Sequence, residues 1–300
     1  MVSLRFHIVS LVAVFLALAI GVIAGTTVID QGVVNVLENQ TDALREARDA
    51  ARAESDLLRR TLGIWDGFGR RLMPAMVGDA LAGRQVVLVM SSEAPPDLIR
   101  DVEVAIAQAE GSVEGSLTLT AKWALEESGA VEQLALVVGA DAAPPDLLAE
   151  AALALALRLR VSQNPSDEND MLRRLAEAGF TTTTVDGRPF PSRDALFIYV
   201  ASANDQVIPA DTFVLPLVRA LAQDGAAIAV AAPLEAAGGL VDRIRSDASL
   251  RNVVATVDHA DTLPGRIALV SALAEVARGA PAHHYGERAD EVAPPPNGRP

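Results

Sequence analysis

Three places in the chain carry side chains able to hold a soft metal ion. Met73 and Met76 stand three residues apart, a spacing that puts two thioethers on one side of a helix. His283 and His284 are adjacent near the C-terminus, where an imidazole pair holds a metal loosely and needs further ligands. Asp258, His259 and Asp261 lie in a short loop between an apolar run and a helical one. Loops of that kind sit at the C-terminal edge of an α/β sheet, where open sheets bind ligands. Each place also has a plainer structural reading. Met fills gaps beside the irregular segment around Pro74, the histidine pair belongs to a solvated tail, and Asp261 starts the helix that follows it. His7 lies at the edge of an apolar segment, where a proton-passing or partner-contacting role competes with a simple interfacial one. The chain has no Cys, so disulfides, thiolate metal sites and thiol catalysis are excluded.

Other chemistry is poorly supported. Neither G-x-G-x-x-G nor G-x-x-x-x-G-K-[ST] occurs, so no nucleotide is expected. There is no G-x-S-x-G elbow, and the many carboxylates form no isolated pair, so the chain reads as a non-enzyme. A net charge of −14 argues against nucleic acid and against docking on anionic lipid.

The elements that would position these residues begin with the N-terminus. Ile8 to Ile29 is an apolar run without a charge. About 22 helical residues at roughly 1.5 Å each span about 33 Å, the thickness of a bilayer's hydrocarbon core. Arg5 precedes the run and Asp30 follows it, which predicts a cytoplasmic tip over 1–7, a single membrane span over 8–29 and an extracytoplasmic remainder. A cleaved signal peptide is the alternative, with Ala17-Leu18-Ala19 as a loose cleavage site, but the apolar run continues well past it. An apolar α-helix favours the inner (plasma) membrane, with the outer membrane as the alternative. Ala13, Ala17, Gly21 and Gly25 fall four apart and form a stripe where a second helix can approach closely.

Residues 30–62 are polar and helix-favouring. Leu37, Leu44, Ala51 and Leu58 recur every seven residues, and Trp65 extends the series. The companion seam is poor (Val34, Thr41, Arg48, Ser55, Leu62), so the expectation is a marginal coiled-coil stalk, against a single amphipathic helix lying on the domain. Self-association, or pairing with another envelope protein, follows from the stripe and the seam together.

Gly63 to Gly83 reads as a transition. Beyond it, residues 84–279 read as an α/β domain. Short apolar runs at 86–90, 134–138, 196–200, 227–231 and 253–257 read as buried parallel strands. They alternate with helices after Asp97, after Asp146, and at about 168–178, 212–223, 238–247 and 265–278. The segment Ala-Pro-Pro-Asp-Leu follows two of the runs, at Ala94 and at Ala143, as a helix start. This alternation predicts a Rossmann-like or flavodoxin-like sheet with helices on both faces. Residues 280–300, ending in Pro-Pro-Pro-Asn-Gly-Arg-Pro, are expected to be disordered.

The chain resembles a known family, the copper transport protein B family of actinobacteria. The likeness is densest at Ser3-Leu4-Arg5-Phe6-His7, Ser10-Leu11 and the Ala13 to Gly25 stripe. It continues after Arg84, from Val257-Asp258 through Gly265, and at His284-Tyr285-Gly286. The resemblance implies copper efflux or homeostasis in the cell envelope, with copper as the ion handled. A lone apolar helix cannot make a pore, and the strands are too short and too solidly apolar for a membrane barrel. Transport therefore requires an oligomer or a channel partner. The alternative is a non-enzymatic scaffold or regulator of cell-wall assembly or division, acting through the coiled coil and the α/β domain.

Overall fold

The computed structural model of the chain describes residues 4–140, 143, 146–185, 188–203, 207–236, 239–287, 289, 291–292 and 294, with the side chains of 4–5 and 26–38 outside that description. The chain forms two units, Met1–Gly67 and Phe68–Pro300.

The first unit is helical. It holds most of α1 (Leu4–Val77), and within it Phe6–Gly25 is long and apolar enough to cross a membrane. Those 20 residues cover about 30 Å, matching a hydrocarbon core, and none of them is buried. The sequence led us to expect an irregular transition from Gly63. Instead α1 continues through Gly63, Gly67, Gly69 and Pro74 to Val77. The reason is tertiary. Met73, Val77 and Leu81 follow one another at four-residue spacing, all are buried, and their burial in the second unit outweighs poor local propensity.

The second unit is a three-layer α/β domain. After α1 come β1 (Gln85–Ser91), α2 (Pro96–Gln108), β2 (Ser112–Leu119), α3 (Ala130–Val138), α4 (Asp146–Leu159), α5 (Met171–Glu177) and β3 (Thr181–Val185). Then follow β4 (Leu196–Val200), α6 (Leu215–Gln223), β5 (Ile228–Ala231), α7 (Leu240–Ser246), β6 (Val254–Val257), α8 (Leu263–Ala277) and β7 (His284–Tyr285). The sheet order is β3-β2-β1-β4-β5-β6-β7. Every neighbouring pair is parallel except β2 and β3. Without the antiparallel edge strand β3 and the short β7, the parallel strands run 2-1-4-5-6, the doubly wound order of flavodoxin-like folds.

Strand alternation divides the interior into two cores. Val86, Leu88 and Met90 face one, which the end of α1, α2 and α8 cover. Val87 and Val89 face the other, under α3 to α7. Arg158 of α4 is buried in that second layer. Its Nε donates to Asp170 Oδ2 at 2.6 Å and its Nη1 to the Phe190 carbonyl at 2.8 Å. Asp170 Oδ1 in turn accepts the Leu172 N–H at 2.8 Å and caps α5.

Two expectations need correction. Leu134 to Val138 is not a strand but the second half of α3. Ala130, Leu134 and Val137 are its buried residues, a helical spacing, and Gly139 ends it in the left-handed conformation at φ 76°. The segment beyond 280 is ordered at His284 and Tyr285, which pair with Thr256 and Val257 as β7. Strands β2 and β3 were not anticipated.

Dinucleotide folds bind at the switch point between β1 and β4. Here that space is lined by Ser91, Tyr199, Ser202, Ile208, Ala210, Val214 and Leu240 and holds about 10 Å³, room for about one water.

Candidate functional site

The C-terminal end of β6 carries the loop that the sequence marked out. All four residues of β6 are buried, and Asp258 and His259 follow directly. Thr262 caps α8: its Oγ accepts the Gly265 N–H at 3.2 Å and donates to the His259 carbonyl at 2.8 Å. Gly265 is needed for this close approach, because a Cβ there would lie 1.9 Å from the His259 carbonyl oxygen. Asp261 does not cap the helix. Its Oδ1 accepts the Leu234 N–H at 2.9 Å and ties the loop to the end of β5.

Asp258 is the centre of a hydrogen-bonded cluster. Arg245, from α7, donates from Nη1 to Asp258 Oδ2 at 2.8 Å, from Nε to Thr256 Oγ1 at 2.9 Å and from Nη2 to the Tyr285 carbonyl at 2.9 Å. The Glu287 N–H donates to Asp258 Oδ1 at 3.0 Å. A side chain at Gly286 would meet that same oxygen at 1.5 Å, and its φ of 144° also favours glycine. The cluster therefore clamps the segment after β7 across the edge of the sheet.

His284 is consumed by this clamp. Its Nε2 lies 2.8 Å from the Arg251 carbonyl, which can only accept, so Nε2 carries the proton. Its Nδ1 lies 2.8 Å from Thr256 Oγ1 and accepts from it. Burial, with the nearby charges of Arg245 and His283, holds the imidazole below its ordinary pKa, against the raising effect of the Arg251 carbonyl. His283 turns elsewhere. Its Nε2 is 3.8 Å from Glu275 Oε2 of α8, and its ring stacks on Tyr285 at 6.1 Å. Burial raises the Tyr285 phenol to about 12, with Glu275 and Glu291 adding to the shift. Adjacent residues of an extended segment face opposite ways, so the two histidines are not brought together.

The two methionines are not brought together either: Met73 is 2% exposed in the core and Met76 is 48% exposed. His259 is different. It is buried, and among the described residues neither ring nitrogen has a hydrogen-bond partner. Nδ1 approaches Asp258 Oδ1 at 3.4 Å without hydrogen-bond geometry. Of the described histidines, this imidazole is the one left chemically open inside the fold. Among the described residues no three His, Asp or Glu side chains converge to hold a metal ion.

At the N-terminal ends of the central strands β1, β4 and β5 lies a groove of about 740 Å³ whose walls include Arg84, Arg160 and Arg193. Arg84 donates to the Asp194 carbonyl at 3.3 Å and Arg160 to the Asp224 carbonyl at 3.1 Å. Helices α6 and α8 end beside this groove, and Arg160, on the Asp224 carbonyl, sits at the C-terminus of α6.

On α1, Ala13, Ala17, Gly21 and Gly25 share one face, and among the described residues nothing beyond the adjacent helix backbone lies within 4 Å of a Cβ built at Gly21 or Gly25. Leu44, Ala51, Leu58 and Trp65 are all exposed, joined by Leu57, Leu62 and Ile64. The Leu37 side chain lies outside the described residues. Sequence reasoning missed the partners of the Asp258 carboxylate: Arg245 and Glu287 lie 13 and 29 residues away, and only the odd glycine at 286 hinted at a close approach.

Comparison with known proteins places this geometry in context. Residues 1–296 match the family model described as "Copper transport outer membrane protein, MctB". The "Copper transporter MctB" of Mycobacterium tuberculosis (strain H37Rv) is 29% identical, over 95% of this chain and 96% of the relative. That of Mycobacterium leprae (strain TN) is 28% identical over the same shares.

Proposed function

The chain belongs to the MctB family of copper transport proteins, and from that premise we propose that it is a membrane-anchored envelope protein of copper transport or homeostasis. It works as an oligomer or with a partner, not as a pore made by one chain. One observation carries this reading. The described residues contain a single helix able to cross a membrane, and all seven strands belong to one mostly parallel sheet. Apolar helices cover that sheet on both faces, so it cannot close into a membrane barrel.

Arg5 before the span and Asp30 after it favour a cytoplasmic N-terminus and an extracytoplasmic α/β domain. A lone apolar helix suits the inner membrane, and the outer membrane named in the family description is the alternative. Copper enters as cargo. Imidazole suits it, and His259, with Asp258 beside it, is the described residue best placed to touch it. Titrating the full-length protein in detergent with Cu(I) and Cu(II) by calorimetry tests direct handling. Binding tighter than about 10 μM, near −7 kcal/mol, that weakens on His259→Ala supports it. Absence of such binding removes direct handling by this chain.

A second reading is a scaffold or regulator of cell-wall assembly or division. The exposed apolar residues of α1, Leu44, Leu58, Leu62 and Trp65, favour it, since a stalk that pairs needs such a seam. Cross-linking in membranes tests the pairing: Gly21→Leu with Gly25→Leu should weaken a dimer built on the small-residue stripe.

A further inference from the structure

Helix α4 carries a row of apolar side chains that its own fold leaves uncovered. Leu153, Leu157 and Val161, at the helix and just past its end, are 51%, 54% and 47% exposed, and Ala149 continues the row toward the N-terminus. These four lie at four-residue spacing, so they form one ridge. The other face of α4 is spent on the core, through Leu148, Ala152, Leu155, Ala156 and Leu159.

The ridge mirrors itself about Leu155. Leu153 and Leu157 stand two residues to either side, Ala149 and Val161 six, and the charged pair Glu150 and Arg160 five. In an antiparallel two-fold contact residue i meets j and j meets i, so these apolar residues and the opposite charges of Glu150 and Arg160 would face one another across the axis. We propose that this ridge is a contact between two copies of the chain, with α4 packed antiparallel against α4 of the partner about an axis between Leu153 and Leu157 on the exposed face, level with Leu155 along the helix. Leu153 then seats beside Leu157 of the other copy, and the ridges interdigitate at a crossing near −50°. Glu150 is exposed and reaches Arg160 across the axis. Arg160 already donates from Nε to Asp224 Oδ2 at 3.2 Å and from Nη2 to the Asp224 carbonyl at 3.1 Å, while among the described residues its Nη1 has no partner. Antiparallel helices also oppose their dipoles favourably. The contact lies on the α/β domain and is separate from the self-association of α1 proposed above.

Because the chain has no Cys, introduced thiols report this contact alone. Two differently tagged full-length chains, Leu153→Cys and Leu157→Cys, are reconstituted at high density in vesicles, singly and mixed, and oxidised. The mixture should give a heterotypic disulfide at roughly three times or more the homotypic yield. Like positions are offset by about 6 Å along the helix axis, beyond easy disulfide reach. Adding Glu150→Arg to both chains should lower that yield, with thermal unfolding confirming that each variant folds. Homotypic yields equal to or above the heterotypic one would overturn the proposal, as would no disulfide at all, or a yield indifferent to Glu150→Arg. An environment-sensitive dye on Leu157→Cys that shifts blue with vesicles, without the disulfide, would assign the ridge to lipid and overturn it as well. Pairing of α1 is read separately through Gly21→Leu and Gly25→Leu and does not bear on the disulfide ratio.

Discussion

Asp258→Asn exchanges one carboxylate oxygen for an amide nitrogen at constant volume, so its cost isolates the charge at the centre of the clamp. In the wild type, Oδ2 accepts from Arg245 at 2.8 Å and Oδ1 from the Glu287 N–H at 3.0 Å. The two ion-paired side chains are only 12% and 11% exposed, so water does little to screen them. Removing one partner of a buried pair costs about 3–5 kcal/mol, because the other charge is left without compensation. Asn keeps one acceptor and creates no cavity, which puts the expectation at about 3 kcal/mol. For a unit of this size about 2–4 °C accompanies each kcal/mol, so the melting temperature should fall by about 6–12 °C. Thermal unfolding of the full-length protein in detergent measures it, and hydrogen exchange should show early loss of protection at Tyr285 and Glu287. Arg245→Met should cost a similar amount, and the double variant much less than the sum, since each change removes the same pair. A fall below about 2 °C with unchanged exchange would refute the reasoning, because Asp258 would then be no anchor for the terminal segment.

Other consequences follow from neighbouring contacts. Gly286→Ala should cost about 1–3 kcal/mol by denaturant titration, from a strained φ and the clash with Asp258. Asp170→Ala should cost about 3–5 kcal/mol, since it strands the buried Arg158 guanidinium and removes the α5 cap together. His284 titrates below its ordinary 6.5 in the folded chain, chiefly through burial, so the unfolded chain takes up this proton first as pH falls. The stability its neutral form contributes is complete above about pH 6.5 and declines below it. Melting temperatures at pH 7.5 and 5.5 should differ less for His284→Gln than for the wild type.

Parts of this fold were legible because each strand announces its own burial. Residues 86–90, 196–200 and 227–231 are solidly apolar, and each is a central parallel strand with both faces covered. Thr181 to Val185 carries no such signal, since four threonines suit an antiparallel edge strand with one face in water. Leu134 to Val138 misled because five apolar residues fit a strand or a buried helix equally. The spacing from Ala130 and the capping Gly139 were the better guides. The terminal strand was invisible because its order comes from Arg245, Thr256 and Asp258, far away in the chain, and not from local propensity. The loop at Asp258 and His259 was found from its place between strand and helix. The histidine pair looked like a ligand set only while its backbone conformation was unknown. Once His284 is extended in β7, its two ring nitrogens are fixed on Thr256 and Arg251 and its neighbour is turned away.

On the function proposed above, one chain anchors and assembles but does not conduct. Copper flux into vesicles loaded with a Cu(I) chelator, measured as the full-length protein is diluted to fewer than one chain per vesicle, tests it most directly. No flux is expected at that dilution, with any flux at higher density rising more steeply than the chain number. Flux that stays proportional to chain number down to single chains would contradict it.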